Sequence, residues 1–228
     1  MDEKKLKVPP LPSHWPYPPR APAPAPERRI QVPLPGLPGL WTLEAVPGLD
    51  LSPAAAGLGQ AFGRGGVLRA GDVVLRPYRR GGLVRHVNAG IYWDRARFAQ
   101  ESQVHRALWA AGLPTVEPLG WAWRPRLWGC EGVFLTRFAQ GLPWPRAWDR
   151  PEVLPRLRVL LEALCAWGLW APDLNATNVL VDPAGDLLTL DWDRARWSPD
   201  PDLPARYRGR LLRSLRKLGA PREIIEQV

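Results

Sequence analysis

Lysine is almost missing from this chain. All but four of its 31 cationic side chains are arginine, and the four, Lys4, Lys5, Lys7 and Lys217, sit near the ends of the sequence. Any phosphate contact made between them must use a planar guanidinium instead of an ammonium point charge. Cysteine is scarce as well. Cys130 and Cys165 cannot build a disulfide framework, and a reducing compartment fits them. Three histidines, His14, His86 and His105, are too few and too scattered for a multi-histidine metal site. Long apolar runs are also lacking. The stretch from Ile30 to Leu43 carries Pro33, Pro35 and Pro38, and it falls short of the roughly 20 apolar residues that a bilayer-crossing helix needs. Met1 to Lys7 is charged and runs straight into prolines, so it does not read as a secretory signal.

What is present is enough for a folded body. The chain has 228 residues, 46% of them hydrophobic, which allows one large or two small domains with a real core. Its formal net charge of +9 points to an anionic partner. Half of the 28 prolines lie between Pro9 and Pro53. Proline removes a backbone donor and fixes φ, so residues 1–57 read as an extended tail, either a spacer or a polyproline ligand. Regular structure becomes readable after about Leu58.

Gly63-Arg64-Gly65-Gly66 opens a hairpin of two strands, Val67-Leu68-Arg69 and Val73-Val74-Leu75-Arg76. The periodicity predicts a helix over Asp94–Ala111, with Phe98, Glu101, Val104 and Leu108 on one face. A carboxylate on that apolar stripe needs a cation or hydrogen bonds to meet it. Strands are expected over 115–123 and 130–138, and a core helix over 152–167. Two short strands, 179–181 and 187–190, flank the turn residues Asp182-Pro183-Ala184-Gly185-Asp186. A last helix, 206–218, has leucines on one side and arginines on the other.

The turn carries the chemistry. If Asp182 faces Leu187, positions summing to 369 are partners, and Asn178 then faces Asp191. Asp173 lies five residues before Asn178 in a loop returning to the same edge. Two carboxylates and an amide oxygen suit a hard cation such as Mg²⁺. The order Asp, four residues, Asn, strand, turn, strand, Asp is the phosphoryl-transfer layout, with the first Asp as base and the Asn and later Asp as metal ligands. Taken singly, each of the three could simply cap a turn. A kinase also needs a glycine turn, a cation on the next strand and a glutamate on the next helix. Gly63, Gly65 and Gly66, then Arg76, then Glu101 stand in that order.

Three segments together resemble the 3-deoxy-D-manno-octulosonic acid (Kdo) kinases of the lipopolysaccharide kinase family. They are Val74 to Leu83 with its Tyr-Arg-Arg-Gly-Gly core, Pro172-Asp173-Leu174-Asn175-Ala176-Thr177-Asn178-Val179-Leu180, and Leu190-Asp191-Trp192-Asp193-Arg194. The resemblance spans about two thirds of the chain, from Gly63 to Lys217. It implies an α+β, protein-kinase-like two-lobed fold, with an N-lobe over 58–140 and a shortened C-lobe over 141–228. It further implies ATP-dependent phosphorylation of a Kdo hydroxyl on a lipid A precursor at the cytoplasmic face of the inner membrane, with Mg²⁺. By position, Asp173 would be the base, Asn175 a contact of the transferred phosphate, and Asn178 and Asp191 the metal ligands. Gly63, Gly65, Gly66, Arg76 and Glu101 would serve the nucleotide, and Arg79 and Arg80 would meet an anionic sugar or phosphate unless they are a solvated basic turn. The chain departs from the family at Ala171, where a histidine is usual, and at Trp192, where phenylalanine is usual. Only about 77 residues follow from Glu152, too few for a peptide-binding apparatus, so a glycolipid or small sugar is the expected acceptor. Two other classes fit some of the same residues. One is a pseudokinase that binds without turnover. The other is a binder of anionic membrane or nucleic acid acting through the arginine face of the last helix, although no nucleic-acid partner is expected.

Overall fold

The computed structural model describes residues 7–22, 24, 27–51, 59–60, 66–79, 90–198 and 200–228. Gly63, Gly65, Arg80 and His86 therefore lie outside the described residues. The chain divides into two compact units, one from residues 22–106 and 117–138, the other from 5–21, 107–116 and 139–228.

The first unit is an antiparallel sheet with a helix. Its strands are β1 (Glu27–Leu34), β2 (Leu37–Ala45), β3 (Gly59–Gln60), β4 (Leu68–Ala70), β5 (Val73–Pro77), β6 (Pro118–Arg126) and β7 (Gly129–Arg137), in the order β1-β2-β6-β7-β5-β4-β3. Alternation puts Leu43 and Ala45 of β2, Val73 and Leu75 of β5 and Val133 and Leu135 of β7 into one core. The helix α1 (Ala96–Ala110) buries Phe98, Glu101, Val104 and Leu108, the face that its periodicity marks out.

The expectation of an extended tail over 1–57 does not hold. Residues 27–45 form the β1–β2 hairpin, and β2 pairs with β6 from Thr42 opposite Trp123 to Ala45 opposite Gly120. Proline is compatible with this because β1 is an edge strand, where a missing N–H costs no ladder bond. Nor do the earlier prolines form a detached leash. In the second unit, α1 ends in a Schellman cap, with Gly112 at φ +81°, its N–H on the Trp109 carbonyl, and the Leu113 N–H on that of Leu108. The Trp15 indole donates to the Ala111 carbonyl (2.6 Å), the Arg20 N–H to Ala110 (2.9 Å) and the Arg20 guanidinium to Leu113 (3.1 Å). The first two are carbonyls that a helix end leaves without intrahelical partners, and the third lies just beyond it. Trp15 also meets the Trp167 ring edge-on at 5.1 Å, and burial pushes the Tyr17 hydroxyl up to about 12.

The rest of the second unit is built on α2 (Val153–Ala166), α3 (Leu203–Leu218) and the short α4 (Arg222–Glu226). Leu203, Tyr207, Leu211 and Leu215, four residues apart, make the buried stripe of α3, while Leu218, expected on that stripe, is exposed. Short strands complete it: β8 (Leu142–Pro143) with β10 (Val179–Val181) and β11 (Leu187–Thr189), and β9 (Leu169–Trp170) with β12 (Arg196–Trp197). No described helix is long and apolar enough to cross a membrane.

If Trp15 helps hold the second unit together, Trp15→Ala removes its ring contacts with Tyr17 and Trp167 and one hydrogen bond, about 1–3 kcal/mol of stability. The expected result is a fall in melting temperature on the order of 3–10 °C. An unchanged melt would mean that the proline segment is a spacer after all.

Candidate active site

In the first unit, β5 points Val73 and Leu75 into the core and so leaves Arg76 on the opposite face, paired with Phe134 of β7. The Arg76 guanidinium binds Oε1 of Glu101, and the Tyr78 hydroxyl donates to Oε2 at 2.5 Å. Glu101 is buried, yet its charge is answered by a cation and a phenol, which is the condition the sequence sets for a carboxylate on an apolar helix face. A strand cation tied to a helix glutamate is the kinase arrangement, here with arginine in the place of lysine. Gly66 has φ +67°, and a Cβ there would come within 2.5 Å of the Arg79 guanidinium. Arg79 thus lies over the last glycine of the expected turn. Phe98, which tilts against the Tyr78 ring at 4.4 Å, fixes the phenol in place.

In the second unit, the segment from Ala171 to Asn178 is shaped by one carbonyl. The main-chain oxygen of Asp173 accepts from Nδ2 of Asn175 (2.7 Å) and from Nδ2 of Asn178 (2.8 Å). Asn175 also takes the Thr177 N–H (3.0 Å) and hydroxyl (2.6 Å) on Oδ1, capping the 3₁₀ turn Ala176–Asn178. The amide expected to contact phosphate is thus engaged within the loop at both ends. Ala171 offers no side-chain bond where the family's histidine would stand, and Tyr207 on α3 supplies one. Its buried hydroxyl accepts from the Ala171 N–H (2.9 Å) and donates to the Leu169 carbonyl (2.7 Å), and burial raises its pKa. Trp192, in the family's phenylalanine position, is fully buried, with its indole N–H on Oγ1 of Thr115 (2.8 Å), which in turn donates to the Thr189 carbonyl (3.0 Å).

The hairpin register differs from expectation by one residue. Val179 faces Thr189 and Val181 faces Leu187, so partners sum to 368. The cause is the turn. The Gly185 N–H bonds the Asp182 carbonyl (3.0 Å), Gly185 takes φ +82°, and the Asp182 N–H bonds the Asp186 carbonyl (2.9 Å). This is a type I turn closed by a left-handed glycine, a three-residue loop where an even four-residue loop had been expected. Asn178 therefore pairs with Leu190, whose N–H it accepts at 3.0 Å, and Asp191 follows one residue later, its Oδ1 taking the Asp193 N–H (3.0 Å). The position opposite Asn178 is Leu190, so the ladder does not by itself bring the two expected metal ligands to one face, as the other register would have done.

Their donor chemistry still suits Mg²⁺. With Nδ2 of Asn178 spent on Asp173, Oδ1 is the amide atom left for coordination, and Asp191 brings a carboxylate. Among the described residues no group of three or more His, Cys, Asp or Glu could hold an ion. An ion held by Asn178 and Asp191 would need phosphate oxygens and water to complete its shell.

Sequence reasoning gave no role to Arg194. Its Nε and Nη2 donate to the two oxygens of Asp173 at 2.9 and 2.6 Å, and Arg210 of α3 brings Nη2 to 3.8 Å from Oδ1. Arg194 is at φ +62°, the third position of the turn closed by the Ala195 N–H on the Trp192 carbonyl, where glycine is usual. A side chain there costs about 1–2 kcal/mol. The Arg194 side chain is 56% exposed and Asp173 20%, and their two-pronged pairing is the return set against that strain.

No family model matches the chain. Two curated 3-deoxy-D-manno-octulosonic acid kinases of Xylella fastidiosa, from strains M12 and 9a5c, are each 32% identical to it over 169 residues, 68% of this chain and 66% of their own length. The chain is a homologue of the Kdo kinases. It spans just under two thirds of the relatives it matches. Among solved structures, the bifunctional kinase-methyltransferase WbdD aligns at 16% identity over 58% of this chain and 30% of that one, with a TM-score of 0.40. A Toxoplasma gondii rhoptry antigen kinase domain aligns at 13% identity over 69% and 50%, with a TM-score of 0.39. Within this homologue of the Kdo kinases, the order of β5 with Arg76, α1 with Glu101, the Asp173 loop and the hairpin before Asp191 is the element order of an α+β kinase fold.

Arg76→Met leaves the Glu101 charge buried without its cation. Allowing for partial exposure of Arg76, the expected loss is about 2–4 kcal/mol, read as a lower denaturant midpoint. Adding Glu101→Gln should recover much of it, and a double variant as unstable as the single one would show that the pair is not what holds this face.

Proposed function

We propose that this chain is an ATP-dependent phosphotransferase whose acceptor is a sugar hydroxyl, the Kdo of a lipid A precursor. The observation that carries the reading is the Asp173 loop. Two asparagine amides, Asn178 among them, fix its main chain, and its carboxylate is held by Arg194, three residues after Asp191. That the Xylella relatives are Kdo kinases supports the acceptor.

In this reaction the acceptor oxygen attacks the γ-phosphorus, the bond from that phosphorus to the β,γ-bridging oxygen breaks, and Asp173 takes the hydroxyl proton. The products are ADP and a phosphorylated sugar. A divalent cation, when bound, supplies charge neutralisation on the phosphates, and Asn178 and Asp191 would hold it. Arg76, oriented by Glu101 and Tyr78, would bind phosphate oxygens through its planar fork, and Arg79 over Gly66 offers a second guanidinium to the same anion. A lipid-borne acceptor places the reaction at the cytoplasmic face of the inner membrane. The exposed Trp93, Leu127 and Trp128 suit peripheral contact with such a surface.

The test is mass spectrometry of a Kdo-lipid A acceptor after incubation with the protein and Mg-ATP, looking for one added phosphate. Asp173→Asn should lower kcat by about 10²–10⁴ with ATP affinity kept. Equal rates for the two proteins would favour a pseudokinase. Asp191→Asn should abolish Mg²⁺-dependent nucleotide binding while the circular dichroism spectrum stays unchanged, and unaltered metal dependence would remove Asp191 from the site.

A further inference from the structure

Two guanidinium groups from different elements, Arg194 of the turn after the hairpin and Arg210 of α3, approach the one carboxylate of Asp173. Asp173 is 20% exposed, but Arg194 and Arg210 are 56% and 36% exposed, so both cations can be reached by a ligand that also reaches the base. Nε of Arg210 is buried and has no hydrogen-bond partner among the described residues, an incomplete arrangement for a group with five donors. Arg194 in turn occupies a left-handed turn position that glycine would fill without strain, so its guanidinium is what the position supplies.

We propose that Arg194 and Arg210 are the seat of a carboxylate on the acceptor, and that Arg194 exchanges one of its bonds to Asp173 for this carboxylate as the sugar acid arrives. The inference rests on the phosphotransferase reading and deepens it. It assigns the acid group of the proposed acceptor to two named residues, and recognition is coupled to catalysis because the base oxygen is released when that acceptor takes over the guanidinium. A bidentate guanidinium matches a carboxylate's two oxygens, which is why arginine serves here and a single charge would not.

The experiment compares calorimetric binding of free Kdo with binding of its analogue in which the carboxyl is reduced to the alcohol, alongside phosphate transfer to each. Wild type should bind the acid roughly ten- to a hundredfold more tightly than the alcohol. Arg194→Gly relieves the turn and so keeps the fold. It should bind acid and alcohol alike, with ATP affinity unchanged and the loss for the acid expressed in KM. Arg210→Gln should reduce the preference in part, and Arg194→Lys should restore only some of what Arg194→Gly removes. Equal binding of acid and alcohol by wild type, or full discrimination by Arg194→Gly, overturns the proposal. If wild type phosphorylates both acceptors with the same kcat/KM, the carboxylate seat falls and the phosphotransferase reading stands. If Arg194-dependent binding of the acid is seen with no transfer, the seat stands and that reading falls.

Discussion

Two amide groups bound to one main-chain oxygen hold the second unit's chemistry in place. The Asp173 carbonyl, taken by Asn175 and Asn178 together, prevents the loop from continuing as helix or strand and sets where the carboxylate of the same residue emerges. The amides act because their own ends are tied. Asn175 is closed by Thr177, and the Asn178 main chain is locked into the hairpin through Leu190. Tyr207 satisfies the buried Ala171 N–H, and Thr115 takes the indole N–H that Trp192 brings into the core.

The first unit follows the same logic with a charge. Glu101 sits on the buried face of α1 and is tolerable only with Arg76 and Tyr78 on its two oxygens. Since Phe98 and Phe134 wall the same region, the guanidinium is positioned by packing as well as by charge. A chain poor in lysine has here adopted the residue whose fork best keeps two partners at once.

How far the sequence could be read depended on the range of the forces involved. The faces of α1 and α2 were legible because the spacing of Phe98, Val104 and Leu108, or of Leu157, Leu160 and Leu164, repeats a local geometry. So was the site's order along the chain, since Asp173, Asn178 and Asp191 are close in sequence. The register was missed by one because loop length hinges on whether Gly185 goes left-handed, a choice between two turns that both accept Asp-Pro-Ala-Gly-Asp. The β1–β2 strands were hidden by prolines whose cost vanishes at a sheet edge, and edge position is fixed by distant β6. Tyr207 and Arg194 act on residues 36 and 21 positions away, distances over which no pattern extends, although a non-glycine at the third place of a tight turn was a visible clue.

The pairing of β2 with β6 has a consequence for any shortened form of the chain. Deleting the proline-rich region up to residue 57 would strip a neighbour from β6 and lay bare a ladder that includes Trp121 and Trp123. Such an open margin is a template for strands from other molecules. The hairpin at the front of the sequence is therefore a guard against self-association, and the proline in β1 finishes the guard, because the outermost strand lacks an N–H at Pro33 to offer the next copy.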